Sequence, residues 1–371
     1  MMKEIHITRW LWCGILTMLL TACSSSDGTE EPQPTMLTIY VYPPEHPIVT
    51  RGVAPIGNEA KVNKLQIWIF ESNTGELVGY LNTSETTALN ESSTGATYQI
   101  AVSDEFAQYK PDVDVYVLAN VTENNCGCSF DGNSTVSVLK EAKIGESYFG
   151  LSSLTTAVPA EGLPMTGMLK AQPVVGDAPA LRVGTTSAIA TVPLVRMVSK
   201  VRFVFANTTG SSALSITGIT LDANMLPTTE YLIPRTSATY SYNTSAAPLL
   251  STTTDVAYND DPTVYIYDDQ EAQVYEDLID GASVADPPLV TVVGPYYLRE
   301  SGKQLSGRIT YQIGDETPTS GEFQMEKAGD FLRNHTWIVY AYHTGGGFLQ
   351  MNALYIKDWT TKTESHEVYN W

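Results

Sequence analysis

Short β-forming segments separated by turn residues make up most of this chain, and they limit its fold more than any other feature. Residues 64–70, 113–119 and 197–205 are rich in β-branched and aromatic residues, and each is followed by Asn, Gly, Ser or Thr. Few segments place apolar residues at the 3.6-residue spacing of a helix. The sequence therefore predicts an all-β fold built from β-sandwiches.

Further segments of the same kind lie on both sides of residue 190. They are 37–42, 76–81, 97–102, 181–183, 188–193, 214–221, 264–267, 289–293, 296–298, 308–313, 321–325, 336–342 and 349–356. Asn73-Thr74-Gly75 predicts a hairpin turn, and a brief helix is predicted over 136–142. One series of strands ends and another opens near 185–192, and the chain is long enough for two domains of about 150 residues. We therefore expect domains at 52–187 and 188–371.

An export signal opens the chain. Lys3 and Arg9 precede an apolar run over residues 10–20, and small residues lead from it to Cys23. This order is typical of a bacterial lipoprotein signal, and the run is too short to span a bilayer as a permanent helix. The alternative is an ordinary secretory signal with an unrelated cysteine. We expect removal of residues 1–22, lipidation of Cys23, and attachment to the outer membrane.

The charge balance excludes one class of partner. The chain has 41 acidic residues against 21 Lys and Arg, a net charge of −20. Binding along a phosphate backbone needs clustered Lys and Arg, so no nucleic-acid partner is expected. Apolar residues make up 43% of the chain, enough to form hydrophobic cores.

Beyond Cys23 only two cysteines remain, Cys126 and Cys128. One intervening residue makes a disulfide between them tight, because both the Cα separation and the torsion of the bond must fit. A strained local disulfide, two free thiols, and a metal or redox role all stay open. In each case hydrophobic cores, and not disulfides, hold this protein together.

No enzyme signature is present in the sequence. The histidines beyond the signal, His46, His335, His343 and His366, lie in no ligand or triad spacing, and the chain has no nucleophile elbow, zinc helix or phosphate loop. The acidic residues of 260–271 lack the spacing and central glycine of a calcium loop, so a solvated loop is the favoured interpretation. We expect no enzyme, no cofactor and no metal.

Arg51 lies in a loop between a predicted strand and the rest of the chain. Residues 24–35 form a polar tether, and the strand that follows places Leu37, Ile39 and Val41 on one face. Exposed loops are where proteases cut, although an ordinary loop arginine fits the local sequence as well. A cut after Arg51 would detach the anchor and remove this strand, leaving a groove that can accept a strand from another molecule.

Several motifs together resemble the Bacteroidales-type fimbrillins, the subunits of type V pili. Their order and spacing carry the resemblance across nearly the whole chain. The motifs are the lipobox ending at Cys23, Thr50-Arg51-Gly52, residues 62–70, Gly75-Glu76-Leu77, residues 115–120, the turn-like Leu163-Pro164-Met165-Thr166-Gly167, residues 195–201, Arg333-Asn334-His335-Thr336-Trp337 and Lys357-Asp358-Trp359.

The resemblance implies two transthyretin-like Greek-key β-sandwich domains in tandem. It further implies a lipoprotein precursor, cleavage between Arg51 and Gly52 by an arginine-specific protease, and polymerisation by strand exchange into a surface fimbrium. The displaced strand would carry Leu37, Ile39 and Val41. The donor strand would come from the C-terminal tail, which carries Val368, Tyr369 and Trp371.

The partners implied are other fimbrial subunits, the maturation protease and a host or bacterial surface receptor. Two alternatives remain. One is a lipidated pilus anchor that keeps its N-terminal strand. The other is a surface glycan-binding lipoprotein, suggested by six Trp and 21 Tyr, although such residues are more often found in cores and on sheet faces.

Overall fold

The structure is a computed structural model that describes residues 34–43, 59–84, 95–170, 181–184, 190–235, 239–258, 291–324 and 331–356. Over these residues the predicted all-β class is confirmed. The strands are β1 (Met36–Tyr42), β2 (Lys64–Glu71), β3 (Leu77–Ser84), β4 (Ala96–Ala101), β5 (Val113–Ala119), β6 (Lys143–Ile144), β7 (Met165–Leu169), β8 (Ala190–Pro193), β9 (Val195–Arg196), β10 (Val198–Asn207), β11 (Leu214–Leu221), β12 (Glu230–Tyr231), β13 (Ala247–Leu250), β14 (Thr254–Val256), β15 (Thr291–Arg299), β16 (Ser306–Ile313), β17 (Thr319–Gln324), β18 (Thr336–His343) and β19 (Gln350–Ile356). The short helices are α1 (Asp104–Tyr109), α2 (Glu123–Cys126) and α3 (Val136–Glu141).

The first sandwich packs a three-stranded sheet, in the order β4-β1-β8, against a five-stranded sheet, β3-β2-β5-β7-β9. Its core is aliphatic, with Ile39 from the smaller sheet and Ile67 and Val115 from the larger one. Residues of one strand alternate between the two faces of a sheet, so Trp68 on β2 faces away from this core and packs elsewhere. With both faces covered, β2 is buried along nearly its whole length.

The second sandwich is built from later strands. A four-stranded sheet, β15-β10-β18-β19, faces a sheet of β13-β11-β16-β17, in which β14 also pairs with β11. Phe203, Ile216, Ile309 and Trp337 are buried between the two sheets. Strand β10 lies between β15 and β18, and it runs antiparallel to β15 and parallel to β18.

A third apolar cluster joins the two sandwiches. Trp68 and Tyr116 lie on the outer face of the first, Val204 and Tyr340 lie on the second, and Leu139 of α3 packs with them. The two-stranded sheet of β6 and β12 links the same two parts of the chain. The described residues from Thr35 onward accordingly form one compact unit.

Most predicted strands are confirmed with small shifts of their ends, as is the hairpin of β2 and β3, where Gly75 has a φ of +73°. The helix predicted over 136–142 is confirmed as α3, and the Thr135 hydroxyl caps it by accepting from the Val138 amide at 3.3 Å. The strands predicted at 289–293 and 296–298 are one continuous strand, β15. The strand predicted at 264–267 lies outside the described residues.

Two predictions are wrong. Residues 181–183 form only an isolated bridge between Arg182 and Asp112, although Leu181 and Val183 are buried in the first core. The turn read at residues 163–167 is largely strand β7, which pairs antiparallel with β5. No pattern in the sequence predicts α1, α2 or the short strands β6, β12, β13 and β14.

The change from one sandwich to the other falls between β9 and β10. Strands β8 and β9 both follow residue 187, yet β8 pairs with β1 and β9 pairs with β7. The domain limits of 52–187 and 188–371 stay a prediction.

Candidate functional site: the N-terminal strand and its groove

Strand β1 is the middle strand of its sheet. It runs antiparallel to β4, with Leu37 opposite Ile100, and parallel to β8, with Val41 opposite Val192. The pairing continues past both ends of the strand. The Val102 amide donates to the Thr35 carbonyl at 2.9 Å, and the Leu194 amide donates to the Tyr42 carbonyl at 3.0 Å. Loss of β1 would therefore expose unpaired backbone groups on two neighbouring strands.

The inward face of β1 fills the first core. Leu37 is 4% exposed, and Ile39 and Val41 are fully buried. They pack in the same cluster as Ile67 and Val115 of the opposite sheet. The alternation predicted from the sequence is confirmed by this burial. Each such side chain contributes about 1.5–3 kcal/mol relative to an exposed one, so β1 is a substantial part of this core.

The outward face of β1 carries aromatic rings. The centroids of Tyr40 and Tyr42 lie 6.2 Å apart, with the planes tilted by 34°. Burial and the neighbouring Tyr40 raise the pKa of Tyr42 above its usual range. Gly95, directly before β4, lies tightly against this face. A Cβ added at Gly95 would lie 2.5 Å from the Tyr40 hydroxyl oxygen and 2.8 Å from the Val41 carbonyl oxygen. Only glycine fits there.

The chain is anchored again soon after the predicted cleavage site. The Glu59 carboxylate is fully buried, accepts a hydrogen bond from the Tyr297 hydroxyl at 2.5 Å, and lies 3.3 Å from the Lys200 ammonium. The Arg196 side chain donates to the Glu59 backbone carbonyl at 3.1 Å. Burial and the Glu59 carboxylate raise the pKa of Tyr297. Sequence reasoning missed Glu59, because its partners lie far along the chain and no local pattern marks it.

The remaining predicted site residues lie outside the described parts of the chain. They are Cys23 for lipidation, Arg51 and Gly52 for cleavage, and Val368, Tyr369 and Trp371 of the donor strand. Their roles stay predictions. The acidic segment 260–271 lies outside as well.

The described histidines make separate backbone contacts. The Nδ1 atom of His335 lies 2.7 Å from the Arg333 carbonyl oxygen, and that of His343 lies 3.1 Å from the Phe348 carbonyl oxygen. Within the described ranges, His, Cys, Asp and Glu form no group of three placed to hold a metal. Cys126 and Cys128 are both free thiols.

Comparison with known proteins finds a family that is similar to the N-terminal part of the chain. The family described as "Major fimbrial subunit protein (FimA)" matches residues 48–179, which include β2 to β7. This region is therefore similar to the FimA fimbrial subunit family. No curated protein matches the sequence of this chain.

Two solved structures similar to this chain are fimbrial proteins. A fimbrial assembly protein from Parabacteroides distasonis is 14% identical, with a TM-score of 0.46 over 87% of this chain and 96% of that one. The tip fimbrial protein Mfa3 from Porphyromonas gingivalis is also 14% identical, with a TM-score of 0.45 over 88% of this chain and 99% of that one. These likenesses are too distant to indicate a function. Among the described residues, no helix has the length and apolar character needed to cross a membrane.

Proposed function

We propose that this chain is a structural or adhesive subunit of a bacterial surface fimbria, without enzymatic activity or a cofactor. The family match over residues 48–179 supports this role. The single observation that carries the assembly mechanism is the position of β1, a middle strand whose three inward side chains fill the first core. A strand so placed can be replaced only by another strand of similar pattern.

The chain is exported as an outer-membrane lipoprotein precursor through Cys23. An arginine-specific protease then cuts between Arg51 and Gly52, which frees the lipid, the tether and β1. The buried Glu59 supports this order of events, because it holds the chain in place shortly after the cut. The rest of the first sandwich thus keeps its connection to the second.

The emptied groove then accepts the tail of a neighbouring subunit. Backbone hydrogen bonds to β4 and β8 supply affinity, and apolar side chains in the places of Leu37, Ile39 and Val41 supply specificity. Tyr369 and Trp371 of the tail are two positions apart and can face the groove together, with Val368 on the opposite face of the donor strand. A head-to-tail contact that does not close on itself produces a filament.

The experiment is replacement of Arg51 by Ala in cells that display the protein. We expect the variant to keep its N-terminal segment and to be missing from sheared filaments. The matched control is Lys61→Ala, a basic residue beyond the predicted cut, which should be processed normally. Normal processing and assembly of the Arg51→Ala variant would contradict the proposal.

A second variant tests the donor strand separately. Deletion of residues 367–371 should leave processing intact and abolish polymerisation, since it removes the proposed donor strand and keeps the predicted cleavage site. Filaments built from this shortened chain would refute the donor assignment while leaving the cleavage step standing.

The pairing of β1 on both edges also favours a second candidate, a lipidated pilus anchor that keeps this strand. In an anchor β1 is a permanent part of the sheet, and Arg51 has no function. Retention of the lipid on the mature protein at the cell surface would support this alternative.

A further inference from the structure

The two free cysteines lie at a sharp turn. Helix α2 ends at Cys126, and Gly127 follows it in the left-handed conformation, with φ 72° and ψ 21°. The Gly127 amide donates to the Glu123 carbonyl at 3.1 Å, which closes the helix end. The chain therefore turns back between Cys126 and Cys128.

Only Gly127 separates the two cysteines at this turn, so their Cα atoms lie close together. The neighbouring Cys126 lowers the pKa of the Cys128 thiol, and the neighbouring Cys128, together with burial, raises the pKa of Cys126. Each sulfur also has a backbone partner. The Cys126 Sγ lies 3.1 Å from the Thr122 carbonyl oxygen, and the Cys128 Sγ lies 3.2 Å from the Lys143 carbonyl oxygen.

The two thiols differ in access. Cys126 is fully buried in the apolar cluster that joins the sandwiches, whereas Cys128 is half-buried at the edge of the same cluster. Reactivity toward disulfides follows thiolate character and exposure. Cys128 is therefore the thiol that a dissolved disulfide can reach, and Cys126 is shielded from solvent.

We propose that Cys126 and Cys128 form a reversible dithiol–disulfide pair, with Cys128 as the attacking thiol and Cys126 as the resolving one. The oxidant is a small-molecule disulfide such as glutathione disulfide. The Cys128 thiolate attacks one of its sulfurs, a mixed disulfide forms, and one glutathione thiolate leaves. Cys126 then attacks the Cys128 sulfur, its proton passes to the second glutathione sulfur, and this glutathione leaves as the thiol. The pair loses two electrons, and the glutathione disulfide gains them.

Such a bond closes a ring with only Gly127 between the cysteines, so it removes little freedom from the unfolded chain. Tight or exposed disulfides are the readily reduced ones. The pair thus acts as a local redox-responsive site and not as a staple. The turn between the two cysteines favours glycine at position 127, because the φ there is positive and a Cβ would lie 3.0 Å from the Tyr148 ring.

The test uses the folded full-length chain incubated with glutathione disulfide, then denatured and alkylated with iodoacetamide. Peptide mass mapping reads Cys126 and Cys128 apart from Cys13 and Cys23, because Arg51 and Lys61 separate the two pairs for trypsin. We expect the peptide with Cys126 and Cys128 to lose two hydrogens and resist alkylation, and dithiothreitol to restore both alkylation sites. Full alkylation of both cysteines after oxidation would overturn the proposal.

Two single variants separate the roles. Cys126→Ser should stop at the mixed disulfide, so glutathione accumulates on Cys128. Cys128→Ser should leave the buried Cys126 unmodified in the folded protein. Glutathione on Cys126 of the second variant, with none on Cys128 of the first, would refute the assignment of attacking and resolving thiols.

Discussion

Replacement of Ile39 by Ala should destabilise the uncut protein strongly and the cleaved, assembled protein not at all. Ile39 is fully buried at the centre of β1 and packs in the first core. The change removes roughly three carbon groups at about 0.8 kcal/mol each, or about 2.4 kcal/mol of transfer free energy. A term for the remaining cavity brings the expected loss to about 3–4 kcal/mol, within the range measured for such changes.

The assay is denaturant unfolding of the purified uncut chain, compared with the thermal stability of filaments sheared from cells. Thr38→Ala is the matched control, because Thr38 is a neighbour on β1 that is only half-buried on the opposite face. That control should change the free energy of unfolding by less than about 1 kcal/mol. Filaments of the Ile39→Ala variant should match the wild type, because the proposed mature subunit lacks β1. An unfolding loss below about 1 kcal/mol in the uncut Ile39→Ala chain would refute the packing argument.

Two further predictions concern the buried charges. Lys200→Met leaves the buried Glu59 carboxylate without its ammonium partner. Denaturant unfolding should therefore show a loss of about 3–5 kcal/mol in the free energy of unfolding, and adding Glu59→Gln should restore a large part of it. No recovery in the double variant would contradict this prediction. The second prediction concerns Glu300, which accepts from Arg333 at 2.8 Å. Burial raises the pKa of Glu300, but the Arg333 guanidinium lowers it by more, so this pKa lies below its usual value of 4.5. The stability that Glu300 contributes is present above pH 4.5 and is lost as the pH falls through the folded pKa. Stability measured against pH should therefore fall less steeply below pH 4.5 for Glu300→Gln than for the wild type, and identical slopes would exclude this role.

The sequence carried strong signals for strands whose two faces differ or whose ends have turn residues. Strand β1 alternates between apolar and mixed residues, and the hairpin at Gly75 has the residue that its positive φ requires. These are local features, so the pattern of the residues alone was enough to predict them.

The resemblance to the fimbrillins predicts a turn at residues 163–167, whereas the structure has strand β7 from Met165 onward. In the structure Gly167 permits a close approach of another strand and does not form a turn. A Cβ there would lie 2.6 Å from the Pro193 carbonyl oxygen, so the glycine allows β8 to approach. That approach joins segments far apart in the chain, and the local sequence holds no sign of it.

Burial and strand formation are separate properties, as the segment around Leu181 shows. Leu181 and Val183 are apolar because they fill the first core, yet the chain there forms no ladder. The buried Glu59 shows the same limit for the site. Its contact with Lys200 spans 141 positions of sequence, so only the fold brings the two charges together.

The central claim is that the mature subunit has lost β1, and the N-terminus of the protein recovered from the cell surface tests it most directly. Intact mass measurement with N-terminal sequencing should give a chain that starts at Gly52 and carries no lipid. A mature surface chain that starts at a lipidated Cys23 would contradict the claim and would identify a protein that keeps β1 in its sheet.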